Sequence, residues 1–127
     1  MRPSGSGSIV LTTSLASRKV ETVIGSAYMA AKAGAVHFMH CAALELAGDG
    51  ITVNAIAPGF FVTNIGGGHV HDPDLQAAVA KDTPMHRVGQ PDDIKRLALF
   101  LASPASKFVT GQEITIDGGW GLGIADQ

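Results

Sequence analysis

The sequence is poor in the features that mark specialised chains. Its single cysteine among 127 residues cannot close an internal disulfide, and such usage fits a reducing, cytoplasmic setting. Charge of neither sign prevails: 9 Lys and Arg against 11 Asp and Glu leave a net −2, which speaks against nucleic acid or an anionic membrane surface as the main partner. The longest apolar stretches are interrupted by Lys or His, so none reads as a membrane-spanning helix. Residues 1–8 are polar and rich in Gly and Ser, without the apolar core of a signal peptide. His69 and His71 have a spacing that suits a metal, but they lie in a Gly-rich loop with no third ligand in evidence. A zinc site takes three or four protein ligands, so no metal is expected. No internal repeat is visible.

What is present is globular. Apolar residues make up 46% of the chain and the mean hydropathy is +0.24, a composition that excludes a disordered chain. The length suits a single domain over residues 1–127. Sixteen glycines imply several tight turns or close backbone approaches.

The run at 9–13 is apolar and β-branched without alternation, as in a strand buried on both faces of a parallel sheet. A polar loop follows from Ser14 to about Gly25. Residues 27–47 are Ala-rich and free of Pro. Positions 28, 31, 32 and 35 share one helical face there, and 39, 42, 43 and 46 continue the stripe. Gly48 and Gly50 stop this helix, and residues 51–57 form a second strand that ends at Pro58-Gly59. A Gly-rich loop over 60–71 leads to Asp72-Pro73, which begins a short helix ending near Lys81. Gln90-Pro91 begins another, with Ile94, Leu97, Ala98 and Leu101 on one stripe, closed by Ser103-Pro104. Residues 112–117 read as a third strand. The order β-α-β-α-α-β implies an α/β fold in which parallel strands are joined by right-handed crossovers.

Tyr28 and Lys32 are the sharpest chemical pair. They lie four residues apart on a helix and so share a face. A phenol is a poor base at neutral pH, and a cationic ammonium beside it favours the phenolate, which is one way to make a tyrosine serve as a general acid/base. Ser14 stands where the first strand ends, the usual place for ligand sites in open parallel sheets. Taken alone, a Tyr/Lys pair at this spacing is an ordinary surface contact. A hydrolase built on Ser14 is disfavoured because no Gly-x-Ser-x-Gly surrounds it.

The wider context is more specific. Ile9-Val10-Leu11-Thr12-Thr13-Ser14 followed by Tyr28-Met29-Ala30-Ala31-Lys32-Ala33-Gly34 resembles the Ser…Tyr-x-x-x-Lys site of the short-chain dehydrogenases/reductases. The likeness continues in order through Gly50 to Gly59, Thr63, Arg87 to Ile94, Phe100 to Ser103, Val109 to Gln112 and Asp117-Gly118-Gly119. It covers residues 8–119. The resemblance implies an NAD(P)-dependent oxidoreductase interconverting a secondary alcohol and a ketone by hydride transfer. It implies that Tyr28 is the general acid/base, that Lys32 draws it toward phenolate and holds the nicotinamide ribose, and that Ser14 positions the substrate oxygen. Pro58, Gly59, Phe61 and Thr63 would line the nicotinamide, with NAD or NADP as cofactor. It further implies a homo-oligomer, dimer or tetramer, packed through the 27–47 helix, the 91–102 helix and the last strand. Asn54 and Asp117 read as structural, through backbone hydrogen bonds at strand ends.

Two departures stand out. Ser14 and Tyr28 are 14 residues apart, one more than the family pattern, and Thr13 is placed to share Ser14's role. The family's opening strand, Gly-rich turn and helix, which hold the pyrophosphate, have no counterpart here. Gly5-Ser6-Gly7 precedes a strand instead of following one, and Gly119 to Gly123 has too little chain after it for a helix. The fold class is therefore a partial Rossmann-like, doubly wound α/β fold of three parallel strands, lacking the dinucleotide-binding half, with Met1 as an internal methionine of the full family length. The alternative function is a truncated, non-catalytic relative that acts, if at all, by pairing with a full-length chain. On either reading the chain alone is expected to be inactive and marginally stable, with the strand at 9–13 left as a bare edge. The substrate is not legible, nor is the choice of NAD or NADP. His37 and His40 read as surface or subunit-contact residues and Cys41 as a small buried one. Gly66 to Gly68 are placed to hinge a lid. Trp120 is undecided between core and interface.

Overall fold

A computed structural model describes residues 1–65 and 68–123. Three strands form one sheet in the order β1-β2-β3: β1 (Gly7–Thr12), β2 (Ile51–Pro58) and β3 (Glu113–Ile116). All pairings are parallel, with Gly7 opposite Ile51, Thr12 opposite Ile56, and Pro58 opposite Ile116. Three helices connect them: α1 (Ser26–Leu46), α2 (Pro73–Asp82) and α3 (Pro91–Ala102). Because the strands are parallel, the segments leaving β1, β2 and β3 emerge at one end of the sheet, and the site forms there.

The elements follow from the residues. α2 starts on Asp72, whose Oδ1 accepts from the Asp74 amide at 2.9 Å, with Pro73 at the first helical position, where a missing N–H costs nothing. α3 starts likewise on Pro91, and Asp93 Oδ2 accepts from the Gln90 amide at 2.9 Å. α1 runs out through a 3-10 turn to Gly50, at φ 70°. A Cβ at Gly50 would sit 2.3 Å from Gly5 O, so both conformation and space demand glycine there.

β2 is the central strand, and Val53, Asn54, Ala55 and Ala57 are fully inaccessible. On one face Met39 and Ala43 of α1 pack on Val53 and Ala55, joined by Ile9 and Leu11 of β1. The other face carries α3, whose Leu101 is fully buried and whose Leu101 carbonyl accepts from Ser8 Oγ at 2.6 Å. Ser8 points away from Ile9 and Leu11 by strand alternation, so α1 and α3 cover opposite faces. With the strands in linear order, connections running over opposite faces have opposite hands. The expectation of right-handed crossovers throughout is therefore corrected. The physical reason is burial: a central strand apolar on both faces needs a helix on each, and only α3 is available for the second.

The strands differ from expectation at their ends. β1 begins two residues earlier because its ladder with β2 reaches back to Gly7. β3 is shorter because Gln112 N is taken by the Asn54 side chain at 3.1 Å and Asp117 turns inward to cap the next loop. Asn54 and Asp117 hold the structural places expected of them. Asn54 Nδ2 also donates to Val109 O at 2.8 Å, and the Asp117 carboxylate accepts from the Gly119 and Gly121 amides at 2.9 and 2.7 Å. Cys41 is exposed, against expectation, because it falls on the outer side of α1, away from Met39 and Ala43. Phe38 and Leu44 share that exposed side. Among the described residues no helix is long and apolar enough to cross a membrane.

Candidate active site

Tyr28 stands in the first turn of α1, its amide bonded to Gly25 O at 3.0 Å, and the residue is 44% exposed. One turn later Lys32 reaches back. Its Nζ lies 5.6 Å from the Tyr28 ring centroid and donates to Thr12 O at 3.0 Å. The helix spacing brings the two side chains together, and the terminal carbonyl of β1 fixes the ammonium between strand and ring. Ser14 follows directly, in extended conformation, with Oγ accepting from the Ala16 amide at 3.2 Å. Its O–H has no acceptor among the described residues.

Thr13 does not share this role. It is 2% exposed, and its hydroxyl is engaged by Ile56 O at 3.1 Å and Glu113 Oε1 at 2.6 Å. Glu113 Oε1 also accepts from Ser17 Oγ at 2.9 Å. One carboxylate on β3 thus brackets Ser14 from both sides and holds its loop against the sheet. Arg18 adds a bond from Nη2 to Thr115 Oγ1. No sequence periodicity announces these ties, which join residues about a hundred positions apart.

A cleft of about 620 Å³ opens at this end of the sheet, lined by Ser14, Tyr28, Pro58, Gly59 and Phe61, together with Glu21 and Trp120. Five of the sequence-predicted residues therefore meet around one space. Lys32 stands behind Tyr28 and is not part of the cleft wall, and neither is Thr63, whose Oγ1 accepts from the Ile65 amide at 3.3 Å. Gly59 is required by proximity, since a Cβ there would lie 2.6 Å from Asp117 Cβ. Phe61 is held by ladder-like bonds to the 83–89 segment: Val62 N to Gly89 O and Gly89 N to Phe60 O, both at 3.0 Å. A Cβ on Gly89 would lie 2.6 Å from the Phe61 ring.

A second wall of the cleft, with Glu21 and Trp120, lies outside the sequence-based expectation. Lys19 Nζ lies 4.6 Å from the Trp120 ring centroid and 2.8 Å from Glu21 Oε1. That ion pair is not aligned as a hydrogen bond, and Glu21 Oε1 is buried without a hydrogen-bond partner. The only available signal was a Lys and a Glu in a loop between two predicted site residues. Trp120 is partly buried and belongs to this wall.

Beyond Phe61 the Arg87 guanidinium meets Asp93 through two bonds of 2.7 and 2.9 Å. The Arg87 hydrogen bonds and the Gln90 amide hold the Asp93 carboxyl down to about 2, and the same contact raises Arg87. The pair fixes the entry to α3 beside Gly89. His71 Nε2 lies 3.2 Å from Asn64 Oδ1. Among the described residues no three His, Cys, Asp or Glu side chains converge where a metal would sit. Of the expected hinge, Gly66 and Gly67 lie outside the described residues, and Gly68 has φ 92°.

Comparison with known proteins supplies the wider context. The sequence profile of a family described as Enoyl-(Acyl carrier protein) reductase matches residues 1–121. The 3-oxoacyl-[acyl-carrier-protein] reductase FabG of Chlamydia pneumoniae is 42% identical over 118 residues, which cover 90% of this chain and 45% of that protein. A short-chain type dehydrogenase/reductase from Mycobacterium ulcerans superposes with a TM-score of 0.88 at 35% identity, over 100% of this chain and 46% of its own. A gluconate 5-dehydrogenase from Burkholderia cenocepacia, solved in complex with NADP and tartrate, gives a TM-score of 0.88 at 33% identity, over 97% of this chain and 48% of its own. The chain thus spans about half the length of the proteins it matches.

Proposed function

This chain belongs to the short-chain dehydrogenase/reductase family, and we propose that it carries the proton-transfer and nicotinamide-facing part of an NAD(P)-dependent oxidoreductase acting on a secondary alcohol or ketone. The observation that carries the reading is the convergence of Ser14, Tyr28, Pro58, Gly59 and Phe61 on one cleft, with Lys32 set against the Tyr28 ring. Tyr28 Oη gives a proton to the ketone oxygen or takes one from the alcohol. Lys32, tied to Thr12 O, holds its positive charge 5.6 Å from the Tyr28 ring centroid, beside the group that exchanges the proton. The Ser14 hydroxyl, with its oxygen already accepting from Ala16, turns its proton outward to the same substrate oxygen. A bound nicotinamide supplies or accepts the hydride, and the chain supplies position and electrostatics.

The described residues fit the nicotinamide end of such a cofactor. Pro58 and Gly59 end β2 at the cleft, and Gly59 is packed too closely on Asp117 for any side chain. They offer no pyrophosphate cradle in the Gly5–Gly7 or Gly119–Gly123 stretches: the first precedes β1, and the second enters a three-residue 3-10 turn. The test is a graft. The chain replaces the matching segment of Chlamydia pneumoniae FabG, and NADPH- and NADH-dependent reduction of a ketone panel is measured. Turnover of at least one ketone is expected. A graft that binds dinucleotide yet reduces none would contradict the reading.

A second reading, in which the isolated chain is not catalytic, is supported by the same missing cradle and by the half-length match to relatives. Without oriented amides around the pyrophosphate, the isolated chain is expected to bind NAD and NADP more weakly than about 100 μM, roughly 5.5 kcal/mol. Calorimetric titration that finds tighter binding would overturn this. Exposed Phe38 and Leu44 on α1 and Leu99 on α3 support a homo-oligomer, and a light-scattering mass of one chain at micromolar concentration would refute that.

A further inference from the structure

Among the described residues, Glu21 and Trp120, with Lys19 packed behind them, form a polar, fixed feature of a cleft that is otherwise walled on this side by apolar side chains such as Phe60, Ile65 and Val70. A carboxylate has about four lone-pair sites, and Glu21 lines the cleft with Oε1 buried against Lys19 and Oε2 unbonded among the described residues. Its sole partner is the Lys19 ammonium at 2.8 Å, which is itself stacked on Trp120 at 4.6 Å. The side chains of Lys19 and Glu21 are 33% and 23% exposed, so the pair is partly shielded from water and held from two directions.

The chemistry of this wall selects among ligands. Oε1 has no surface to offer a ligand, so the acceptor at the cleft is Oε2, which calls for a donor because leaving it unpaired on ligand binding costs the desolvation of a polar group. A ligand carboxylate would face the Glu21 charge. A ligand ammonium would crowd the Lys19 ammonium that stands 2.8 Å from the same carboxylate. A neutral hydroxyl meets neither repulsion and donates one bond. We infer that Glu21, positioned by Lys19 and Trp120, is the specificity-determining residue of this cleft. It selects a ketone or secondary alcohol that carries a second, free hydroxyl on an otherwise apolar carbon skeleton, and it excludes carboxylate-bearing ketones. The inference rests on the oxidoreductase reading of the cleft, since the reacting oxygen is placed at Ser14 and Tyr28.

Trp120 is the only tryptophan in the chain and lines the cleft, so saturable quenching of its fluorescence reports occupancy directly and needs no turnover. The full chain is titrated with 2-decalone, 6-hydroxy-2-decalone and the corresponding 6-carboxylate. The hydroxyketone is expected to bind about tenfold tighter than the plain ketone, as for a hydrogen bond to a charged group, and the carboxylate more weakly than either. Glu21→Leu is expected to abolish the hydroxyl preference. Glu21→Gln keeps an acceptor oxygen and leaves Lys19 uncompensated. It is therefore expected to retain the preference while admitting the carboxylate, and it decides the matter if the Leu variant does not fold. Equal binding of the two neutral ketones by the parent would overturn the inference alone. So would a hydroxyl preference that survives in Glu21→Leu, or a carboxylate still excluded by Glu21→Gln. Saturable binding of none of the three would overturn this inference, whereas the oxidoreductase reading stands or falls separately on turnover by the graft.

Discussion

The two walls of the cleft are built differently. Ser14, Tyr28 and Lys32 stand on or directly beside regular elements: the end of β1 and the first two turns of α1. Each is tied to backbone, Lys32 to Thr12 O, Tyr28 N to Gly25 O, and Ser14 Oγ to the Ala16 amide. The second wall, with Glu21, Phe60, Ile65 and Trp120, comes from three segments outside the strands and long helices and is held by side-chain contacts such as the stack of Lys19, itself outside the cleft lining, on Trp120. Groups that move protons need fixed geometry, and strands and helices give it. Groups that choose a substrate sit on loops that vary without disturbing the sheet. Changes on the first wall should alter rate, whereas changes on the second should alter which ligand binds.

The sharpest break in this comparison is Tyr28→Phe. In the FabG graft it is expected to lower turnover by about a hundredfold or more, the usual range for general acid/base catalysis, with dinucleotide affinity unchanged. Retention within about tenfold of the parent would remove Tyr28 from the proposed role. Lys32→Ala comes next. It is expected to cost about tenfold, or roughly 1.4 kcal/mol of barrier, because the ammonium 5.6 Å from the Tyr28 ring centroid is removed. It should also weaken cofactor binding, and turnover and dinucleotide affinity both equal to the parent's would contradict the assignment.

Gly59→Ala probes the floor between the walls. The new Cβ would sit 2.6 Å from Asp117 Cβ and 3.6 Å from the Trp120 ring. Overpacking of this kind costs about 1–3 kcal/mol, read as a lower denaturant midpoint, and an unchanged midpoint would show that the turn accommodates the methyl. The smallest effect concerns Asp93, held at about 2 against an ordinary 3.8 by Arg87. A depressed carboxyl contributes stability above its unfolded range and loses it as pH falls through the folded value. Asp93→Asn should therefore melt slightly below the parent at pH 6, with the gap closing between about pH 4 and pH 2. The pair is solvent-exposed, so screening keeps the gap small. A gap constant down to pH 2 would contradict the assigned contact.

The first wall was legible because its residues obey local rules. The continuous apolar run placed β1, the 3.6-residue period placed Tyr28 and Lys32 on one face, and Pro58-Gly59 marked the end of β2. Position relative to those elements put Ser14 at the mouth. The second wall obeys no local rule. Lys19, Glu21 and Trp120 meet only because β1 and β3 end at the same side of the sheet, a contact across about a hundred residues. Three other features were also hidden, two of them by the same long-range effect. Thr13 is closed off by Glu113 from β3. Thr63 turns back on its own loop and leaves the cleft. α3 covers the face opposite α1 because Leu101 and Ser8 meet there. Cys41 looked like core only because α1 is apolar on nearly every side, which leaves its inner face unmarked in sequence.

The central claim is that Ser14 and Tyr28 act as one unit on a single substrate oxygen. The most direct measurement is a double-mutant cycle on kcat in the FabG graft, with Ser14→Ala, Tyr28→Phe and the two combined. Residues that act as a unit are strongly non-additive. The account predicts that the double variant is no slower than Tyr28→Phe alone, within about threefold. Losses that multiply would mean that the two hydroxyls act independently, and would contradict the account.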